Sequence, residues 1–197
     1  SGTYNTCLIA VNELREKYPD RKIVIIDSFC DSAGLGFLVY LAGQKYMSGA
    51  SIEELSTFIE DTRLKVCHWF IVDDLEQLKR GGRISAVAAT FGKALQIKPL
   101  LSVDNIGRLV NVAKIRGKSN VINSLVEQYL RDAEDTKKGT VFIAHADNEQ
   151  GALELQKAIK GKCSECQICE IGPVIGAHVG FGMLAILFLG KRDLTLA

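Results

Sequence analysis

The sequence predicts an α/β fold in two parts. A partial parallel-sheet α/β/α unit comes first and a mixed-sheet α/β unit follows. Three observations carry that expectation. Aliphatic runs of strand length (Lys22–Asp27, Val66–Val72, Thr140–Ala146) alternate with segments whose apolar residues recur at helical spacing. A hairpin interrupts the alternation: Gln96–Val103 and Arg108–Ile115 flank Asp104-Asn-Ile-Gly107, a connection with turn chemistry, so the sheet is mixed. Hydrophobic residues make up 47% of the chain and charged ones 24%, enough for a sizeable core under a polar surface.

The elements follow in order. Tyr4, Cys7, Leu8, Val11, Leu14 and Tyr18 form one helical stripe directly after Ser1-Gly2-Thr3. Lys22–Asp27 reads as a parallel strand buried on both faces. The first 65 residues supply no neighbour for it, so either the second half lends one or a segment upstream of Ser1 does; the upstream segment is the expectation. Ala33–Tyr46 is a largely apolar helix. Ser51-Ile-Glu-Glu54 is a capping box opening a helix with Ile52, Leu55, Phe58 and Ile59 on its apolar face. In Val66–Val72, Cys67, Trp69 and Ile71 face one way. Asp73-Asp-Leu-Glu76 fits a second capping box, and the Gly-Gly of LKRGGRIS (Leu78–Ser85) ends that helix. Ser85–Leu95 is a small-residue helix. Val121, Ile122, Leu125, Val126, Tyr129 and Leu130 mark the clearest amphipathic helix, and Glu149–Lys160 is another. Cys166–Ile171 is a short strand.

Charge and cysteine usage exclude several functions. A net charge of +1 leaves no nucleic-acid footprint. No apolar run reaches the roughly 18 residues needed to span a bilayer, and no signal peptide opens the chain, so stable membrane insertion is not expected. Six cysteines in 197 residues are too few for a disulfide scaffold, which places the chain in the reducing cytoplasm. Cys163, Cys166 and Cys169 lack a fourth ligand of suitable spacing, and period three on a strand cannot aim three sulfurs to one side; no metal is expected. No G-x-x-x-x-G-K-[ST] loop is present, and Gly34-Leu35-Gly36 lacks the third glycine of a dinucleotide fingerprint.

Two stretches carry candidate chemistry. Ile171–Gly190 reads as a glycine-rich bend holding His178 beside a buried strand, MLAILFL. The alternative is a tight turn around a satisfied core histidine. In LKRGGRIS, Arg80 and Arg83 flank a glycine hinge and can present guanidinium groups to a phosphate or carboxylate; a solvated helix end explains the same residues. His68 reads as a core or edge residue. His145 ends its strand without an assigned role.

SGTY at the start, DDLEQLKRGGRIS, KPLLSV and IGPVIGAHVG, in that order, resemble the DegV family from Ser1 to Lys191. That resemblance implies two α/β domains: here 1–65 as the remainder of an N-terminal domain and 66–197 as a mixed α/β lipid-binding domain. It implies a bound long-chain fatty acid, no cofactor, and a carrier that is not itself an enzyme, serving a separate fatty acid kinase subunit. Ser1 matches the family's carboxylate-binding serine, His178 its head-group histidine, and Arg83 and Arg116 the nearby cations. Arg80 is a possible kinase or phosphate contact. The family also has a segment before SGTY. Phe181 stands where the family usually has proline.

The chemistry is consistent with a carrier. About fifteen methylenes at ~0.8 kcal/mol each supply roughly 12 kcal/mol, against ~4–15 kcal/mol for association, so the tail gives affinity and the head group gives orientation. The competing readings are an α/β enzyme using His178 as acid–base on a phosphorylated or carboxylate substrate, and an interaction module with a filled core.

Overall fold

The computed structural model describes residues 2–73, 75–83 and 97–192. Among them, seven α-helices and six strands form one mixed sheet layered with helices, in the order β3-β2-β1-β6-β4-β5. β4 (Thr140–His145) and β5 (Glu165–Glu170) pair in parallel, and the other neighbours are antiparallel.

The centre of the sheet is β1 (Val66–Ile71), bonded to β2 (Ile97–Val103) on one side and to β6 (Leu184–Leu189) on the other. Its alternation sorts the two cores. Cys67, Trp69 and Ile71 face α5 (Lys118–Asp132) and α6 (Glu149–Ala158), where Leu125, Tyr129, Ile143, Leu155 and Phe188 are buried with them. Val66, Phe70 and Val72 face α2 (Ser32–Met47), packing with Phe37, Leu38, Leu101 and Leu187. Burying each large side chain of this kind is worth about 1.5–3 kcal/mol. The hairpin is as the sequence expects: β2 and β3 (Leu109–Arg116) close over a turn in which the Asp104 carboxylate accepts from the backbone N–H groups of Ile106 and Arg108. The amphipathic stripe of α5 is buried at Val121, Leu125 and Tyr129, whereas Leu130 is exposed.

Helix ends follow local chemistry. Ser51 Oγ accepts from Glu54 N–H while Ser51 N–H donates to the Glu54 carboxylate, so the capping box opens α3 (Ile52–Thr62) as the sequence requires. In α4 (Leu75–Arg80), Gly82 takes φ 72° and Arg83 N–H returns to Leu78 C=O at 2.9 Å, a glycine-terminated end. Asp73 gives its carboxylate to Lys98 Nζ at 2.6 Å; Asp74 of the second capping box, and the helix expected over Ser85–Leu95, lie outside the described residues.

Two stretches differ from a simple reading of the pattern. Lys22–Asp27 follows α1 (Gly2–Lys17) and bonds to no strand among the described residues, so the second half does not lend the neighbour that the expected strand needs. Its carbonyls are taken by side chains instead, Ile23 C=O by Arg15 and Asp27 C=O by Arg63 Nη1. Composition favoured a strand, but a strand exists only where a partner backbone bonds it. Val24 is accordingly exposed, and so are Cys7 and Leu14 on α1 and Tyr18 just past its end, all of the apolar stripe, with Val11 buried. The glycine-rich stretch is also more regular than a bend. Pro173 starts a helix, α7 (Pro173–Val179), and the turning is left to Gly180 (φ 76°) and Gly182 (φ 82°) before β6.

A cavity between the sheet and the ends of α2, α4 and α7

The face of the sheet under α2 is not closed. A cavity of about 930 Å³ lies there, at the upper end of the roughly 300–1,000 Å³ usual for ligand pockets. Its floor is apolar: Phe70 and His68 of β1, Val103, Ala144, Ala185 and Leu187, with Leu78 of α4 and Met183. Ala144 and Ala185 are cross-strand partners, and two methyl groups side by side leave the floor hollow at that level. The rim is polar and exposed, with Arg83 and Arg108 on it, and Val174 73% exposed beside them.

His178 and Arg83 meet at this rim. His178 comes from the last turn of α7 and Arg83 from the turn after α4, and Gln77 of α4 ties the two elements by donating to Ala177 C=O. Arg83 Nη1 donates to Gly81 C=O at 2.6 Å. His178 Nδ1 is buried with no hydrogen-bond partner among the described residues. Arg80 and Arg116 are exposed and not among the lining residues; Arg116 ends β3, whereas the cavity meets that strand at its start. Ser1 lies outside the described residues. Phe181, in the turn between Gly180 and Gly182, is 79% exposed.

The hairpin side of the cavity is held by an arginine that pattern reading passes over. Arg192, 6% exposed, donates to four backbone carbonyls: Val103 (3.1 Å), Asp104 (2.6 Å), Phe29 (2.7 Å) and Arg63 (3.2 Å). It thereby pins the loop 29–32 to the hairpin, and that loop needs pinning because Phe29 (φ 50°) and Ser32 (φ 45°) sit in the left-handed region. Asp31 is exposed where it opens onto the cavity, but the protein packed around its other side partly desolvates the carboxyl and raises its pKa, with the Arg192 charge opposing. Burial likewise pushes the Cys30 thiol up to about 11.

Chains with this architecture are known. A sequence model of the DegV family, described as uncharacterised, matches residues 1–191. A DegV domain-containing protein of Clostridium perfringens is 44% identical over 192 residues, covering 96% of this chain and 66% of its own. The chain belongs to the DegV family. Among solved structures, a fatty-acid-binding DegV family protein of Thermus thermophilus superposes with a TM-score of 0.86 at 26% identity, over 96% of this chain and 67% of its own. A DegV lipid-binding protein of Thermotoga maritima gives 0.81 at 27%, over 98% and 66%. The DegV chain described here thus spans about two thirds of the length of such relatives.

Several features of the DegV cavity escape pattern reading. His68 is 3% exposed, and neither ring nitrogen has a partner among the described residues. It lies against Gly34, whose missing side chain lets the first turn of α2 rest on the imidazole. Burial, with the Arg192 charge adding to it, lowers its pKa to about 3, so the ring is neutral and part of the cavity wall. Its place in an apolar strand gave the core reading; nothing in the spacing said that a cavity adjoins it. Asp104 was read as a turn residue and Arg108 as the start of the next strand, and the two pair at 2.8 Å on the rim. His145 is buried outside the cavity and accepts from Asn148 N–H. Among the described residues no cluster of His, Cys, Asp or Glu is arranged to hold a metal, and Cys166 and Cys169 pack toward opposite faces of the sheet. No described helix is long and apolar enough to cross a membrane.

Proposed function

We propose that the chain carries a long-chain fatty acid, burying the alkyl tail over the apolar floor and holding the carboxylate at the rim beside His178 and Arg83. The observation that carries this reading is the cavity itself: a floor of Phe70, Val103, Ala144, Ala185 and Leu187 beneath a rim bearing a histidine and an arginine. Bound fatty acid in relatives of the same family supports it. Ser1 and Arg116 are proposed further members of the head-group site, and Arg80 a contact for a kinase. The protein does not itself transfer phosphate; a separate kinase subunit, in the cytoplasm, converts the presented carboxylate to an acyl phosphate. No metal or cofactor takes part. Organic extraction of the purified protein followed by mass spectrometry tests the reading. A stoichiometric long-chain fatty acid is the expected result. A polar small molecule would favour an enzyme with His178 as acid–base, and an empty cavity that takes up no added heptadecanoic acid would refute the carrier.

A further inference from the structure

His178 and Arg83 reach the rim from different elements, and one residue touches both. Gly81 accepts from Arg83 Nη1 through its carbonyl at 2.6 Å. Its α-carbon faces the imidazole: a Cβ on Gly81 would fall 2.6 Å from His178 Nδ1 and 3.3 Å from His178 Cα, too close for any side chain. The Gln77–Ala177 hydrogen bond holds α4 and α7 together on either side of that contact. Nδ1 is therefore covered by backbone, with no water access and no acceptor among the described residues.

A neutral imidazole carries one N–H and one lone pair. Placed on Nδ1, the proton would be a buried donor with nothing to bond; placed on Nε2, it leaves only a shielded lone pair there and an N–H for the cavity that His178 lines. We propose that Gly81 is a positioning residue: its bare backbone seals Nδ1 and fixes His178 as an Nε2–H donor toward an anionic oxygen at the rim. That the oxygen belongs to a fatty acid carboxylate rests on the carrier reading; the tautomer does not. A carboxylate can accept from an Nε2–H but would be repelled by an Nε2 lone pair, so the seal decides whether this histidine attracts the head group or rejects it.

Two-dimensional nitrogen–proton NMR of the ligand-free protein reads the tautomer directly. The sequence holds three histidines, and loss of one ring pattern in His178→Gln assigns the signal. Wild type should show the Nε2–H form. Gly81→Ala should shift His178 to mixed forms and weaken heptadecanoic acid binding about tenfold or more. His178→Gln, whose amide N–H reaches the place of Nε2, should bind at least about tenfold more tightly than His178→Asn, whose amide reaches only the place of Nδ1. A wild-type proton on Nδ1 overturns the proposal. So does a Gly81→Ala protein with unchanged ring spectrum and unchanged Kd, or Gln and Asn variants of equal affinity. If Gly81→Ala does not fold, the wild-type spectrum and the Gln/Asn pair still decide. If wild type takes up no fatty acid, the carrier reading fails while the ring spectrum still judges the seal.

Discussion

Filling the hollow in the cavity floor should separate lipid binding from stability. Phe70, Ala185 and Ala144 form one row across β1, β6 and β4, and two of the three are methyl groups. Ala185 lies two residues, roughly 7 Å, along the chain from Met183, where the lining enters β6 from the Gly180–Gly182 turn below His178. An alkyl chain gains at most about 1.5 Å per carbon, so at least about five carbons stand above that level. Of about fifteen methylenes, roughly ten lie beyond it, and at ~0.8 kcal/mol each they hold about 8 kcal/mol of affinity. Ala185→Phe puts a ring across their path. Overpacking a closed core costs ~1–3 kcal/mol, but here the ring enters empty space, so the urea midpoint should change little. Binding should collapse by several orders of magnitude, since each 1.4 kcal/mol is about tenfold. The assay is mass spectrometry of extracted lipid with a heptadecanoic acid titration on the same preparation. A folded Ala185→Phe protein that still holds a full-length acyl chain at wild-type affinity refutes the path of the tail over this row.

Three further outcomes are expected. His68 binds no proton in the folded state until about pH 3, whereas the unfolded chain takes one up near its ordinary 6.5, so native stability should fall as pH drops through that window and level off below it. The span is worth about 5 kcal/mol, and His68→Leu should remove that share of the acid sensitivity in urea titrations across the window; an unchanged pH profile would show that the ring is not buried as described. Arg192→Met strands four carbonyls at once, two of them in buried bonds, and frees the loop 29–32, so it should lower stability by roughly 3–5 kcal/mol in urea unfolding, and a loss under about 1 kcal/mol would mean the clamp is dispensable. Elemental analysis of the reduced protein should find far less than one zinc or iron per chain; metal retained stoichiometrically through chelation would contradict the packing of Cys166 and Cys169 toward opposite faces.

What the sequence disclosed divides along a physical line. Features encoded over a few residues were legible: the Ser51–Glu54 capping box, the Gly82 helix stop, the hairpin turn at Asp104, and the alternation of Cys67, Trp69 and Ile71. Each depends on backbone geometry or period within one element. Lys22–Asp27 is not settled by its own residues for the complementary reason, because strand identity belongs to a pair of backbones and no partner is among the described residues. Arg192 was invisible because its role is set by carbonyls 88 to 163 residues away. A lone arginine after an apolar strand looks like a solubilising residue; only the fold shows that it is the clamp. His178 was legible as chemistry, but its partner Gly81 was read only as a helix stop. No periodicity reports that two glycine-containing segments meet face to face.

In the carrier proposed above, the rim and the floor answer to different constraints, which would let one cavity bind tightly and still present its ligand. Floor contacts are nondirectional: each methylene gains nearly the same free energy wherever it lies on Phe70, Val103 or Leu187, so the tail tolerates sliding and bending. The head group does not tolerate it. A carboxylate held for phosphoryl transfer loses on the order of a hundredfold in rate for about 1 Å of displacement. Orientation therefore has to come from groups that do not move with the lipid, and His178 and Arg83 are both referred to the backbone of Gly81. Arg192 does the same on the hairpin side, fixing the strained loop 29–32 to the hairpin. Stiff polar anchors around a permissive apolar floor would make affinity depend on chain length and presentation depend on a few backbone contacts, so mutations at the two places should change different observables.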